Sequence, residues 1–345
     1  MNLRSDWVDY AKALGIILVV YGHVARGVSS VEIKTQFKSI QTIDSIIYSF
    51  HMPLFFFVSG FFFYNSLLKR GGTKLILRKF DTIVYPYIIW SIFQGITEVF
   101  LSSYTSGSVT YSDVFSLLWF PRAQFWFLYV LFIFFAVSTI FLSFFSKKAV
   151  IFLFLLSIVL YVYPIDISAN LILRLLKGYF VFFVFGIFFS LYFKTERISN
   201  FFSFSLLSCG FIISQYIFHV KFELLYSDIG IESLLLAFIS ILFLVSLSSQ
   251  ISTLMPNKTL ANIGKLSMAI YILHTLASSG ARIILSKVAN VHSFEVHLIV
   301  GCLTGILIPI FIVSIANKLK FPYLFSAPIS KIFLASYRGL FQRSH

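Results

Sequence analysis

Apolar residues in this chain arrive in long blocks separated by short polar stretches, and the blocks recur from one end to the other. Blocks of about 17 to 25 residues are each long enough to cross a hydrocarbon core of about 30 Å as a helix. Ten are expected, over residues 10–27, 43–64, 82–103, 124–145, 149–163, 172–193, 201–220, 231–250, 264–286 and 295–317. The fifth is the shortest; it either tilts less than the others or forms a hairpin with the fourth around Lys147 and Lys148. The ten-residue alternation of a barrel strand is absent, so the pattern predicts an all-α polytopic membrane protein. No stretch between blocks has room for a separate soluble domain, which makes residues 1–345 a single membrane unit with a basic tail over 318–345. An even number of spans puts both termini on one side.

Composition agrees. Of 345 residues, 59% are hydrophobic and only 12% charged, with mean hydropathy +0.92, well outside the range of soluble domains. A net charge of +14 raises nucleic acid as a partner. The basic residues sit in short loops between spans, however, not along one face interleaved with aromatics, so a nucleic-acid partner is not expected. With the N-terminus in the cytoplasm, Arg4, Lys69, Arg70, Lys74, Arg78, Lys79, Lys147, Lys148, Lys194, Arg197, Lys258, Lys265 and the tail residues Lys318, Lys320, Lys331, Arg338 and Arg343 share that side. That is the positive-inside pattern. The first block lacks a small-residue cleavage site and is expected to stay as a span. The tail is expected to lie on anionic inner-leaflet lipid. Cys209 and Cys302 fall inside apolar blocks and read as packing residues, not as a disulfide.

Ionisable residues inside spans are costly and usually functional. The first block, DYAKALGIILVVYGH, carries Asp9, Lys12 and His23. The eleven-residue step from Lys12 to His23 accumulates roughly 1100°, so both lie on one helical face about 16 Å apart. Span two places His51 at a depth similar to that of His23, and span nine raises Ser267, Tyr271 and His274 as one stripe to the same level. A neutral imidazole titrating near pH 6.5 can accept a proton from a hydroxyl. Each residue also has a plainer reading. His23 or His51 can satisfy a backbone carbonyl, the latter beside the break at Pro53; Lys12 can snorkel to the interface; and the span-nine stripe can bond neighbouring helices. A three-histidine metal site is not expected, because no His pair has the i, i+3 or i, i+4 spacing of helical metal motifs.

Further along, Glu98 with Gln94 puts a polar face inside span three, and Arg174 or Lys177 at the start of span six is the expected partner of the glutamate. Trp90 and Trp126 read as interface anchors. The stretch Tyr104–Arg122, rich in Ser, Thr and Tyr, is the longest outer loop and the place for a lid or for a polar acceptor to dock.

The pair DYAKALGIILVVYGH and FHMPLFFFVSGFFF resembles the acyltransferase 3 family of integral membrane acyltransferases, particularly its fucose O-acetylase-like branch. RKFDTIVYPYIIW from Arg78, FWFLYVLF around Trp126 and IGKLSMAIYILHT around His274 resemble later motifs of that family in the same order. Its signature is an arginine, ten residues, then a histidine; here Lys12 stands at the arginine position and His23 matches. The lysine keeps the charge but not the planar fork that grips phosphate in two places. The resemblance implies transfer of an acetyl or other acyl group from cytoplasmic acetyl-CoA to a hydroxyl of a cell-surface or lipid-linked saccharide, in a bacterial inner membrane. No permanently bound cofactor is expected, and a homo-oligomer is left open. It implies His23 as general base, with His51, Tyr271 and His274 beside it and the donor on Lys12, Lys74, Arg78 and Lys79. Asp9, Glu98, Trp126, Arg174, Lys177 and Ser267 form a second tier. A transporter or flippase of saccharide or lipid-linked cargo is the alternative, although no inverted repeat is evident.

Overall fold

The computed structural model describes residues 6–29, 37–102, 109–165, 167 and 169–331, with the side chains of 37–39 left aside. Arg4, Tyr104, Arg338 and Arg343, named above, lie outside the described residues. Among the described residues every regular element is helical, and nine helical stretches are long and apolar enough to span a membrane. The fifth expected segment, Ala149–Val162, has 14 residues. At about 1.5 Å per residue it covers about 21 Å, short of a full hydrocarbon core. The protein is an all-α, polytopic integral membrane protein. Backbone contacts divide the chain into two compact units, residues 1–62 with 150–311 and residues 63–149 with 312–345.

The first unit holds α1 (Trp7–Ser29), α2 (Phe37–Tyr48) and α3 (His51–Phe61) from the N-terminal stretch. Span two is broken between α2 and α3 because Pro53 cannot donate a backbone N–H; the ring is accommodated in the first turn of the new helix. The break leaves the carbonyl of Ile47 short of a helical partner. It accepts from the Phe50 N–H at 3.3 Å and from the ring of His51 at 2.7 Å.

In the second unit, α4 (Phe63–Arg70), α5 (Gly72–Lys79) and α6 (Tyr85–Phe100) follow one another, with one turn of π-helix over Phe80–Val84. A short α7 (Tyr111–Phe115) is started by a capping box, the Thr110 hydroxyl accepting from the Asp113 N–H while the Asp113 carboxylate accepts from the Thr110 N–H. α8 (Trp126–Phe144) completes the membrane part. The tail is tied down within this unit. Trp90 donates its indole N–H to the Leu324 carbonyl at 2.8 Å, Tyr85 donates to the Tyr323 carbonyl, and Asp81 accepts from both the backbone and the hydroxyl of Ser330. Trp90 is therefore a buried tie and not the interface anchor its sequence context suggests.

The first unit resumes with α9 (Ala149–Val162), α10 (Leu171–Tyr192), α11 (Phe201–Tyr216), α12 (Ile231–Leu254), α13 (Lys258–Lys265), α14 (Ser267–Ile283) and α15 (Phe294–Lys318), whose last residues from Ile312 belong to the second unit. Within it α3 crosses α10 at backbone contact. A Cβ on Gly60 would run into the Phe183 carbonyl, and one on Gly186 into the Phe57 carbonyl. The reciprocal glycines let the two backbones touch, the usual means of packing helices where lipid removes the hydrophobic drive. Phe57, Phe185 and Phe189 close over the crossing with ring separations of 5.1 and 5.5 Å from Phe57. Both cysteines are free, and Cys209 is exposed on α11, so it does not have the packing role expected for it.

Candidate active site

The first unit has a polar cluster at each end of α1. Near its start, the Tyr10 hydroxyl accepts from the Asn257 N–H at 2.8 Å and donates to the Asn257 carbonyl at 3.3 Å. This contact borders a cavity of about 820 Å³ whose lining includes Asp6, Asp9, Tyr10, Lys258, Asn262 and Lys265. Lys12, two residues after Tyr10 on α1, is half-buried.

At the far end the histidines gather. The rings of His23 on α1 and His274 on α14 stand edge to face with centroids 5.0 Å apart. His51, at the head of α3, is with His274 and Arg26 among the groups that interact electrostatically with His23. Tyr271 lies one turn below His274, its ring 6.2 Å away, and Ser267 opens the same helix.

Hydrogen bonding distinguishes the three rings. His274 and His51 are buried. His274 places Nδ1 2.8 Å from the Tyr271 carbonyl and 3.1 Å from that of Ile270, and His51 places Nδ1 on Ile47. A carbonyl only accepts, so both Nδ1 atoms carry the proton, and in the neutral ring each Nε2 keeps its lone pair. That of His274 lies 3.3 Å from the Thr275 hydroxyl. His23 is half-buried, and among the described residues neither of its ring nitrogens is hydrogen-bonded. His51 and His274 are thus tethered and oriented, and His23 is the ring left with its nitrogens available.

The remaining candidates are spread over both units. Lys74 and Arg78 are exposed on α5, and the Lys79 ammonium sits 3.8 Å over the Phe135 ring. Trp126 begins α8, its ring 6.3 Å from that of Phe127. Arg174 is exposed and Lys177 half-buried on the first turns of α10. Glu98 takes a different cation from the one expected. It pairs with Arg122 at 2.5 Å and accepts from Gln94 at 2.8 Å, while Gln94 and Gln124 exchange hydrogen bonds. The loop that supplies Arg122 folds back onto α6, with Tyr87 donating to the Leu117 carbonyl and Val114 packed on Gly95. A nearby arginine thereby meets the carboxylate before any residue remote in sequence is needed.

Sequence reading passed over Arg26, Asp44 and Tyr48. Their signal was positional: Arg26 follows His23 by three residues, and Asp44, Tyr48 and His51 fall at intervals of four and three.

A membrane helix bundle that presents an unbonded histidine at one end of a span and a lysine at the other defines a polytopic membrane protein with a catalytic appearance, and the family follows from the whole chain. The model of the acyltransferase 3 family, described as an acyltransferase domain, matches residues 5–316, and the chain belongs to that family. Among characterised relatives it is similar to nodulation protein NolL of Sinorhizobium fredii, 27% identical over 197 residues, which is 55% of this chain and 50% of that protein. It is also similar to nodulation protein NolL of Mesorhizobium japonicum, 30% identical over 94 residues, or 26% of this chain and 23% of that one. These matches cover half or less of each relative's length. No solved structure matches the chain.

Proposed function

We propose that this protein is a membrane O-acyltransferase that takes an acetyl group from acetyl-CoA at the Lys12 end of α1 and places it on a saccharide hydroxyl at the histidine end. The observation that carries the reading is His23, half-buried, edge to face with His274 at 5.0 Å and unbonded at both ring nitrogens among the described residues. Such an imidazole can take the proton of an acceptor hydroxyl as the oxygen attacks the thioester carbonyl. The carbon–sulfur bond then breaks, and the proton passes to the departing thiolate. His51 and His274, held by their Nδ1 bonds, orient the acceptor by accepting from its hydroxyls at Nε2, and the Tyr271 hydroxyl is the donor that supports charge on the carbonyl oxygen.

The donor reaches α1 from the cytoplasm. There the cavity beside Tyr10 offers Lys258 and Lys265 to an anionic nucleotide, and Lys12 lies between Tyr10 and His23 along α1. In the second unit, α5 carries Lys74, Arg78 and Lys79 as a cationic patch of its own, which supports attraction of an anionic donor. Membership of the acyltransferase family supports the reaction class. The resemblance of the His23 segment to the fucose O-acetylase-like branch supports a cell-surface or lipid-linked saccharide as acceptor and a bacterial inner membrane as the location.

The test incubates purified wild type and His23→Ala with radiolabelled acetyl-CoA and an extract of lipid-linked and polymeric surface glycans. Label moving to glycan with wild type alone is the expected result. Turnover retained in His23→Ala removes His23 from the mechanism. Absence of transfer, together with no thermal stabilisation by acetyl-CoA, favours a transporter of saccharide cargo.

A further inference from the structure

One helical turn beyond His23, at the end of α1, Arg26 grips Asp44 of α2 in a fork, Nε to one carboxylate oxygen at 2.8 Å and Nη2 to the other at 2.7 Å. The guanidinium carbon lies 3.3 Å over the centroid of the Tyr48 ring and 5.2 Å from that of Tyr226, and the two tyrosine rings are 5.3 Å apart. Tyr226 comes from the loop between α11 and α12 and is held there by its backbone N–H, which donates to the Ser45 hydroxyl at 2.8 Å. On its other side Tyr48 stands edge-on to His51 at 4.4 Å, so one ring bridges the ion pair and the histidine cluster. The Tyr48 hydroxyl is buried and, among the described residues, has no hydrogen-bond partner.

An ion pair that only stapled α1 to α2 would need neither the exposure nor the unused valence found here. The Arg26 side chain is 40% exposed, that of Asp44 17%, and Tyr226 as a residue 37%. Arg26 uses Nε and Nη2, leaving the donors of Nη1 unbonded among the described residues, and each oxygen of Asp44 keeps a lone pair beyond the one the arginine uses. A donor and an acceptor side by side match two neighbouring hydroxyls of a sugar ring, and the exposed Tyr226 face suits its apolar C–H face. Because the arginine and the carboxylate cancel, the pair itself offers no net charge to attract an acidic unit.

We propose that Arg26, Asp44, Tyr48 and Tyr226 form the acceptor subsite and take an uncharged saccharide unit, which presents its hydroxyl to His23 one turn deeper; the assignment rests on the acyl-transfer reading given above. The experiment measures steady-state transfer by the full-length protein from labelled acetyl-CoA to two probe pools, neutral hexose oligosaccharides and uronic-acid oligosaccharides. Variants are Asp44→Asn, Tyr226→Ala, Tyr226→Phe and Arg26→Lys, each checked for monodispersity. Asp44→Asn and Tyr226→Ala raise the acceptor KM about tenfold or more while the acetyl-CoA KM stays within about twofold, and Tyr226→Phe recovers most of the loss. Wild type favours the neutral pool by about tenfold, and Asp44→Asn narrows that preference. An acceptor KM within about twofold of wild type in both variants, or donor and acceptor KM rising together, overturns the subsite. Preference of wild type for the acidic pool overturns the uncharged acceptor. If wild type transfers no label, the acyl-transfer reading fails by itself and binding decides the subsite. Thermal stabilisation of wild type by the neutral pool that is lost in Tyr226→Ala sustains it, and no stabilisation overturns it. If Tyr226→Ala does not fold, Arg26→Lys is read in its place, since the ammonium cannot keep both bonds to Asp44.

Discussion

Replacing Gly22 with Ala adds one methyl group next to His23 without touching its ring. A Cβ built there lies 2.8 Å from Tyr48 Cε2, with Tyr48 Cζ at 3.5 Å. Ordinary carbon contacts begin near 3.5 Å, so the ring has to retreat by about 0.7 Å or more. It has little room, with Arg26 at 3.3 Å on one face and the His51 ring at 4.4 Å. The displacement is therefore handed on to the ion pair or to the histidine cluster. A misplacement of about 1 Å in a reacting assembly costs on the order of 10²-fold in rate, equivalent to about 2.7 kcal/mol in the barrier. Overpacking costs about 1–3 kcal/mol of stability, offset in part by about 1 kcal/mol from the better helix propensity of alanine. Gly280 on α14 is the control, because a Cβ there meets nothing within 4 Å and gains the same propensity. The assay compares thermal unfolding in detergent with acetyl transfer to the glycan extract. The expected result is a drop of about two orders of magnitude for Gly22→Ala, with near-wild-type rates for Gly280→Ala. Rates for the two variants within about threefold of each other would refute the claim that Tyr48 is wedged between α1 and the histidines.

At the crossing of α3 and α10, Gly186→Val forces side-chain atoms into the Phe57 carbonyl, and yield of monodisperse protein should collapse while Gly280→Val is tolerated; equal yields would show that the helices separate freely. Glu98→Gln leaves Arg122 without its carboxylate in a half-buried site and should lower stability by about 1–3 kcal/mol, with the double variant Glu98→Gln and Arg122→Gln recovering part of it in a thermal-shift cycle. The Asp113 carboxyl is held below its ordinary pKa of 3.8, first by the bond from the Thr110 hydroxyl and then by the Thr110 backbone N–H. A depressed pKa contributes stability above the unfolded value and loses it as pH falls through the folded one. Amides of 111–115 should therefore exchange faster in Asp113→Asn than in wild type at pH 7, with the difference closing below the ordinary carboxylate range; a difference unchanged at low pH would remove the carboxylate from the cap.

The helical spans were legible along the chain because a segment in hydrocarbon must satisfy every backbone group within itself, so length and hydropathy alone define it. The same local physics put Lys12 and His23 on one face and broke span two at Pro53. Pairing was not legible, because it depends on which helices pack together. Glu98 sits in an apolar block that names no partner, and only the fold of the 109–122 loop onto α6 brings Arg122 to it. Arg26 carries no local signal of a partner; only the crossing of α1 and α2 sets Asp44 against it and Tyr48 beneath it. The histidines illustrate the division. Their depth followed from counting residues, whereas which rings are tethered and which is free depended on carbonyls exposed at a helix break and on the approach of α14 to α1. Sequence determined what each helix carries and on which face, since helical periodicity is a local property. Tertiary structure decided which faces meet, since that depends on contacts between residues far apart in the chain.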